Sequence, residues 1–179
     1  MPSVIHNHVV VPFGRLQMPV ENRDSLTLEH ASEVFPAAEN LDLHHLDPIE
    51  KADQICEILR DGCDLQRSHE HLFLLLYFAR VIDKLKEGAT LDCALLPLPK
   101  ARFSLAGEQP GVTVDFAFWN GQKFVAVFIH ESRYNQPLPA DAGLLKIWGF
   151  DVYCLMADEF ETRGLMGNTG LKILEALHL

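Results

Sequence analysis

Asp115 is the residue on which a chemical reading of this chain turns. It stands among Val, Phe, Ala and Trp in the stretch TVDFAFWNGQKFVAVFIHES, residues 113–132. An ionised acid in an apolar strand is costly unless a cation, a protonated base or several hydrogen-bond donors lie beside it. His130, on the same stretch, is one group that could neutralise it, and capping of a buried polar group is another use for the acid. The nine histidines raise a second chemistry, metal ligation. His6 and His8 would put two imidazoles on one side of a strand, whereas His69 and His71, two apart at a helix start, do not share a face. Neither pair comes with a third ligand at a diagnostic spacing, so solvent-facing or capping roles are expected for His69, His71, His44 and His45.

These residues need elements to position them. Residues 1–46 are irregular in pattern, with HVVVPF reading as a short strand and RDSLTLEHASEVF as a short helix. DPIEKADQICEILRDG is clearer: Asp47 can cap a helix, Pro48 suits its first position, Glu50 completes a capping box and Gly62 lies where the chain must leave. Ile49, Ala52, Ile55, Cys56 and Leu59 then form one apolar stripe. The next helix starts near Ser68 and runs to Gly88; it is apolar nearly all round between Leu72 and Val81, which predicts burial on more than one side.

Beyond it the period changes from helix to strand. LDCALLPLP and ARFSLAG are short apolar candidates, followed by VTVDFAFW, the Asn120-Gly121 turn signal and QKFVAVFIH, a hairpin expected over 112–119 and 122–130. LPADAGLLKIWG reads as a short helix ending at Gly149, FDVYCLM as a buried strand, and the C-terminus as one helix or two with a break at Gly167. The segment between Ile129 and Phe150 is long enough for the crossover that a parallel strand pair requires. The expected fold is α/β (α+β): a mixed β-sheet flanked by helices, in one domain spanning 1–179.

Composition bounds the function. The chain has 179 residues, 48% of them hydrophobic, and a formal charge of -10 from 25 acidic and 15 basic residues. Such a field repels phosphate backbones, and no window concentrates Lys and Arg; Lys84, Lys86, Lys100 and Arg102 come nearest. No apolar run is long enough to span a bilayer and MPSVIHNHVVVPFG lacks the features of a signal peptide, so a cytoplasmic protein without a membrane partner is expected. Cys56, Cys63, Cys93 and Cys154 show no metal-ligand spacing and suit reduced, packed thiols.

The order of elements from Ser68, the lone Asp115 in the second of three consecutive strands and the later D…LLKIWGFDVYCL stretch resemble the restriction-endonuclease-like superfamily, the PD-(D/E)xK nucleases. Within it the chain looks most like the small members related to very-short-patch repair endonucleases. The resemblance covers residues 68–178 and implies a restriction-endonuclease-like core. In such proteins Asp on the hairpin is joined by an E-x-K or E-x-D pair on the next strand, and two carboxylates hold magnesium or manganese while a lysine helps to place the attacking water.

Counting outward from a two-residue Asn120-Gly121 turn pairs Trp119 with Gln122, Phe116 with Val125 and Asp115 with Ala126. Asp115 then shares its face with Phe124, Ala126, Phe128 and His130. The family pattern would put its second acid at Phe128 and its lysine at His130, and neither residue type suits magnesium chemistry. Glu131 lies on the opposite face unless a β-bulge turns it inward. Lys146 on the crossover helix could stand in for the lysine, and Glu70 on the core helix for the acid. Equally, Lys146 suits a surface position and Glu70 an early helical turn favoured by the dipole. The resemblance thus implies metal ligands drawn from Asp115, Glu70 and Glu131, and catalytic roles for Asp115, His130, Glu131 and Lys146. It leaves two functions: a nuclease-like domain with a decayed metal site, working as a binding or scaffold protein with a homodimer as its candidate assembly, or an active Mg- or Mn-dependent endonuclease acting on DNA.

Overall fold

The computed structural model describes residues 9–11, 14–16, 26–29, 46–62, 68–90, 96–105, 111–120, 122–130 and 140–179. The predicted capping box opens the first helix, α1 (Pro48–Gly62). Asp47 Oδ1 accepts from the backbone N–H groups of Ile49 and Glu50, at 2.8 and 3.0 Å, and Glu50 Oε2 accepts the Asp47 N–H at 3.2 Å. Two of the donors that a helix start leaves orphaned are thereby satisfied. Ala52, Ile55, Cys56 and Leu59 are buried, as the stripe predicts.

The core helix is α2 (Ser68–Lys86). Its burial is a broad stripe rather than a full circumference: Phe73, Leu74, Tyr77, Phe78 and Val81 are buried while Leu75 stays exposed. Cys56 Sγ faces the Leu74 carbonyl at 3.9 Å, so α1 packs on α2.

The described residues form nine strands, numbered in chain order: β1 (Val9–Val11), β2 (Gly14–Leu16), β3 (Leu26–Glu29), β4 (Leu98–Pro99), β5 (Arg102–Leu105), β6 (Val112–Thr113), β7 (Phe116–Trp119), β8 (Phe124–His130) and β9 (Asp151–Met156). β1 pairs with β2, β3-β5-β6 form a second sheet, and β4-β7-β8-β9 form the main one. β4, β7 and β8 are antiparallel neighbours, and β9 is parallel to β8, as the crossover length predicts. The helix expected in RDSLTLEHASEVF is replaced at its centre by β3, antiparallel to β5 with Leu28 opposite Phe103. The alternating Leu-Thr-Leu-Glu fits a strand period, and an available sheet edge decides between the two. The N-terminal third therefore contributes a strand to the β-structure that continues into the core.

The predicted strand 112–119 is divided between sheets. β6 ends at Thr113, Val114 and Asp115 form a bend, and β7 begins at Phe116. The pairing nevertheless stays in phase. Leu98 faces Ala117 and Pro99 faces Phe116 in one sheet, Arg102 faces Thr113 and Phe103 faces Val112 in the other, and the same register carried across the gap sets Lys100 opposite Asp115. Lys100 N donates to Asp115 O at 3.0 Å and Val114 N to Ala101 O at 2.9 Å, so one bent ribbon serves both sheets.

The hairpin register also differs from the count made from Asn120-Gly121. Trp119 pairs with Phe124 and Phe116 with Val127. Asn120 occupies the first corner of the turn, where its Oδ1 accepts the N–H groups of Gln122 and Lys123, both at 3.0 Å, and its own N–H bonds Lys123 O at 3.2 Å. The side chain acts as an Asx acceptor, which moves the turn along by one residue and the register by two. A shift of two preserves which residues share a face.

Both faces of β7 and β8 are covered. Phe116 and Phe118 pack on Phe73 and Tyr77 of α2, with Phe73 and Phe116 stacked at 4.7 Å. On the opposite face Trp119, Phe124, Phe103 and Phe150 interlock at centroid distances of 4.7–5.2 Å. The crossover helix α3 (Ala140–Ile147) buries Ala142 and Leu145 and ends where Gly149, at φ +91, lets Phe150 N reach Leu145 O. Among the described residues β9 lies at the edge of the main sheet, and only Leu155 in it is fully buried, less than the buried strand expected. The C-terminus is two helices, α4 (Ala157–Arg163) and α5 (Asn168–Ala176), separated by a 3-10 turn at Gly164–Met166. Glu159 of α4 accepts the Asn168 N–H at 2.6 Å and so caps α5 across the break. No helix among the described residues is long and apolar enough to cross a membrane.

Candidate functional site

The acid that opened the question lies at the bend of the ribbon. Asp115 precedes β7 rather than lying within it, and both of its carboxylate oxygens have polar partners. Oδ1 is 3.1 Å from Lys100 Nζ, and Oδ2 accepts the backbone N–H of Ile129 at 2.8 Å. Lys100 Nζ also donates to Oε1 of Glu70. A carboxylate from the first turn of α2, an ammonium from the β4–β5 turn and a carboxylate from the ribbon thus meet at one end of the main sheet.

The burial of the three is graded. The Glu70 side chain is 0% exposed, Asp115 15% and Lys100 32%. A fully buried carboxylate without a counter-ion would cost several kcal/mol, so Glu70 depends on the ammonium beside it. The backbone of Lys100 is also unusual: its φ is +53, a left-handed conformation that a residue with a Cβ adopts at a cost. That conformation sits at the kink of the ribbon, where Lys100 is level with Asp115.

Of the residues the sequence singled out, Asp115 and Glu70 are brought together. With Phe116 opposite Val127, one further step sets Asp115 level with Phe128, not Ala126. Phe128 is buried, and its ring lies parallel to that of His130 at 6.2 Å. His130 ends β8, and its Nε2 is buried with no hydrogen-bond partner among the described residues. Lys146 is exposed in the last turn of α3, where its charge acts on the Cys154 thiol of β9, partly offsetting the upward push of burial on that thiol. The lysine that reaches Asp115 is Lys100. Glu131, His6, His8, His44 and His45 lie outside the described residues. His69 is half-buried rather than solvent-facing, with Nε2 2.7 Å from Glu161 Oε1 of α4.

Lys100 is the site residue that sequence reasoning missed. Its signal is a symmetry: a lone lysine between the apolar runs LLPLP and ARFSL, and a lone acid between VTV and FAFW. Opposite charges at the breaks of two largely apolar strands can pair across a shared kink, but their pairing depends on a register that neither strand states alone.

A magnesium or manganese ion does not fit this donor set. Such ions take several oxygen ligands, whereas here an ammonium already bridges the two carboxylates, one Asp115 oxygen is bound to a backbone N–H, and Phe128 occupies the level of the strand opposite Asp115. No group of three His, Cys, Asp or Glu side chains suited to a metal ion occurs among the described residues. Comparison with known protein families, curated proteins and solved structures finds no match to the chain.

Proposed function

We propose that this chain is a restriction-endonuclease-like domain that has kept the scaffold and lost the metal chemistry, and that it acts as a binding or scaffold protein. The observation that supports the reading is the pairing of the sheet end: Phe128 stands level with Asp115 and His130 ends the strand, so the two positions to which the resemblance assigns a second acid and a lysine carry neither. The order of the main sheet supports it too, with three antiparallel strands and a fourth, parallel strand reached through a crossover helix.

A second reading, an active and divergent Mg- or Mn-dependent endonuclease acting on DNA, is favoured by the convergence of Glu70, Asp115 and Lys100, two acids and a lysine drawn from separate elements. One assay separates the two. The purified full chain is incubated with single- and double-stranded DNA in magnesium or manganese. The scaffold reading expects no cleavage above background, and Phe128→Glu combined with His130→Lys should raise metal affinity in the retained framework. Metal-dependent cleavage by the unmodified chain that disappears in Asp115→Ala would establish the enzyme instead.

A further inference from the structure

We infer that the carboxyl end of the parallel β8–β9 pair carries a soft-metal site, in which the His130 imidazole, the Cys154 thiolate and the Met156 thioether take one copper(I) ion. The inference goes beyond the nuclease-like reading and is independent of it: Glu70, Lys100 and Asp115 play no part, and magnesium and manganese, which prefer oxygen, are not its ions.

The strand register brings the three donors together. β8 and β9 run parallel, with Phe128 opposite Cys154 and His130 opposite Met156. Residues two apart on a strand share a face, so Phe128, His130, Cys154 and Met156 lie on one side of the pair. Neighbouring strands are about 4.8 Å apart and residues two apart about 6.6 Å, which keeps the three ligand α-carbons within roughly 8 Å of one another. His130 and Met156 are also the last residues of their strands, and the crevice beyond the carboxyl ends of parallel strands is where α/β sheets collect ligands.

His130 supplies an independent mark. Its Nε2 is buried with no hydrogen-bond partner among the described residues, and its ring lies parallel to that of Phe128 at 6.2 Å. A ring nitrogen buried in that state is costly, and a bond to a metal would remove the cost. Cys154 is a free thiol, and it and Met156 are both only half-buried. Burial raises the Cys154 thiol while the Lys146 ammonium of α3 lowers it, so that ammonium favours the thiolate a metal needs. Thiolate and thioether donors select copper(I), and imidazole also ligates copper. The ion enters and stays as copper(I), so no electron moves; the Cys154 proton passes to water as the sulfur–copper bond forms. Because the third donor is a thioether, no group of three His, Cys, Asp or Glu side chains marks the place.

The test uses the full chain, reduced and free of oxygen, with copper(I) alone as the probe and Mg²⁺ as the contrasting ion. Competition against a coloured copper(I) chelator gives the affinity, and NMR of methionine methyl and histidine ring signals gives the place. Copper(I) is expected to shift the Met156 methyl and the His130 ring, and Mg²⁺ to shift neither. The affinity should fall about tenfold or more in each of Met156→Leu, His130→Gln and Cys154→Ser, and should be unchanged in Cys56→Ala. Met156→Leu nearly conserves volume and removes only the sulfur, so it decides the question where another variant fails to fold. An affinity unchanged in folded Met156→Leu would overturn the inference. Undiminished binding in Cys154→Ser, with the Met156 and His130 signals unmoved, would assign the ion to other thiols and overturn it too, as would no binding at all. DNA cleavage is read in no arm, so the outcome is separate from that of the nuclease assay.

Discussion

Lys100 and Asp115 are joined twice, by a backbone bond from Lys100 N to Asp115 O at 3.0 Å and by a side-chain contact from Nζ to Oδ1 at 3.1 Å. The backbone bond belongs to the ribbon and survives any substitution that keeps the fold. The side-chain contact belongs to the cluster and does not, which allows the two to be separated by mutation.

Lys100→Ala and Lys100→Gly both remove the ammonium, but only glycine relieves the left-handed backbone at φ +53. Both variants should be less stable than the unmodified protein, and Lys100→Gly should exceed Lys100→Ala by about 1 kcal/mol in urea unfolding. Equal stabilities for the two would mean that the kink at residue 100 carries no strain.

Two helical glycines should respond to alanine with opposite signs. A Cβ on Gly170 of α5 would lie 2.5 Å from the Leu165 carbonyl oxygen, while one on Gly143 of α3 would meet nothing within 4 Å. Gly170→Ala is expected to cost roughly 1–3 kcal/mol through overpacking against backbone. Gly143→Ala should gain about 0.5–1 kcal/mol from helix propensity. Melting temperatures of the two variants, measured side by side, check the contrast.

Burial pushes the Cys56 thiol up from 9.0 to about 11, with Arg60 opposing the shift and Asp53 and Glu57 adding to it. The folded state therefore holds the Cys56 proton more tightly than the unfolded state does. This contribution to stability is complete below pH 9 and is lost as pH rises towards 11. The unfolding free energy should fall across that window, and Cys56→Ala should flatten the fall. At neutral pH the Cys56 thiol should react with alkylating agents only when the chain is unfolded.

The formal charge of -10 sets an expectation for DNA. Affinity for duplex DNA at physiological salt should be no tighter than the nonspecific range of roughly 10⁻⁴ to 10⁻⁶ M. A salt titration of fluorescence anisotropy measures it, and a steep slope signalling many phosphate contacts would point to a basic groove and to the endonuclease reading.

The elements most legible in the sequence are those fixed by neighbours in the chain. Asp47, Pro48 and Glu50 announce α1 because capping acts over three residues, and the β8–β9 pairing follows from the length of the crossover. The hairpin was legible as a hairpin, but the Asn-Gly signal leaves open which corner Asn120 takes, and the Asx bonds to Gln122 and Lys123 settle that only when the chain has folded. Asp115 could be chosen because a lone acid in an apolar strand needs a reason. Glu70 entered only as a substitute acid, and Lys100 only as one of the basic residues that come nearest to a cluster. Their meeting depends on the phase between residues 98–103 and 112–117 and on the packing of α2, relations that no local pattern encodes.

The unbroken phase of that ribbon has an evolutionary consequence. An insertion or deletion of one residue within 98–103 or 112–117 would throw two sheets out of step together and separate Lys100 from Asp115 in the same event. The register of β5 with β6 sets no count for the sequence between them. Among descendants of this chain, length should therefore drift in the connection between β5 and β6 while the two arms keep their count, even where nearly every side chain along them has been exchanged.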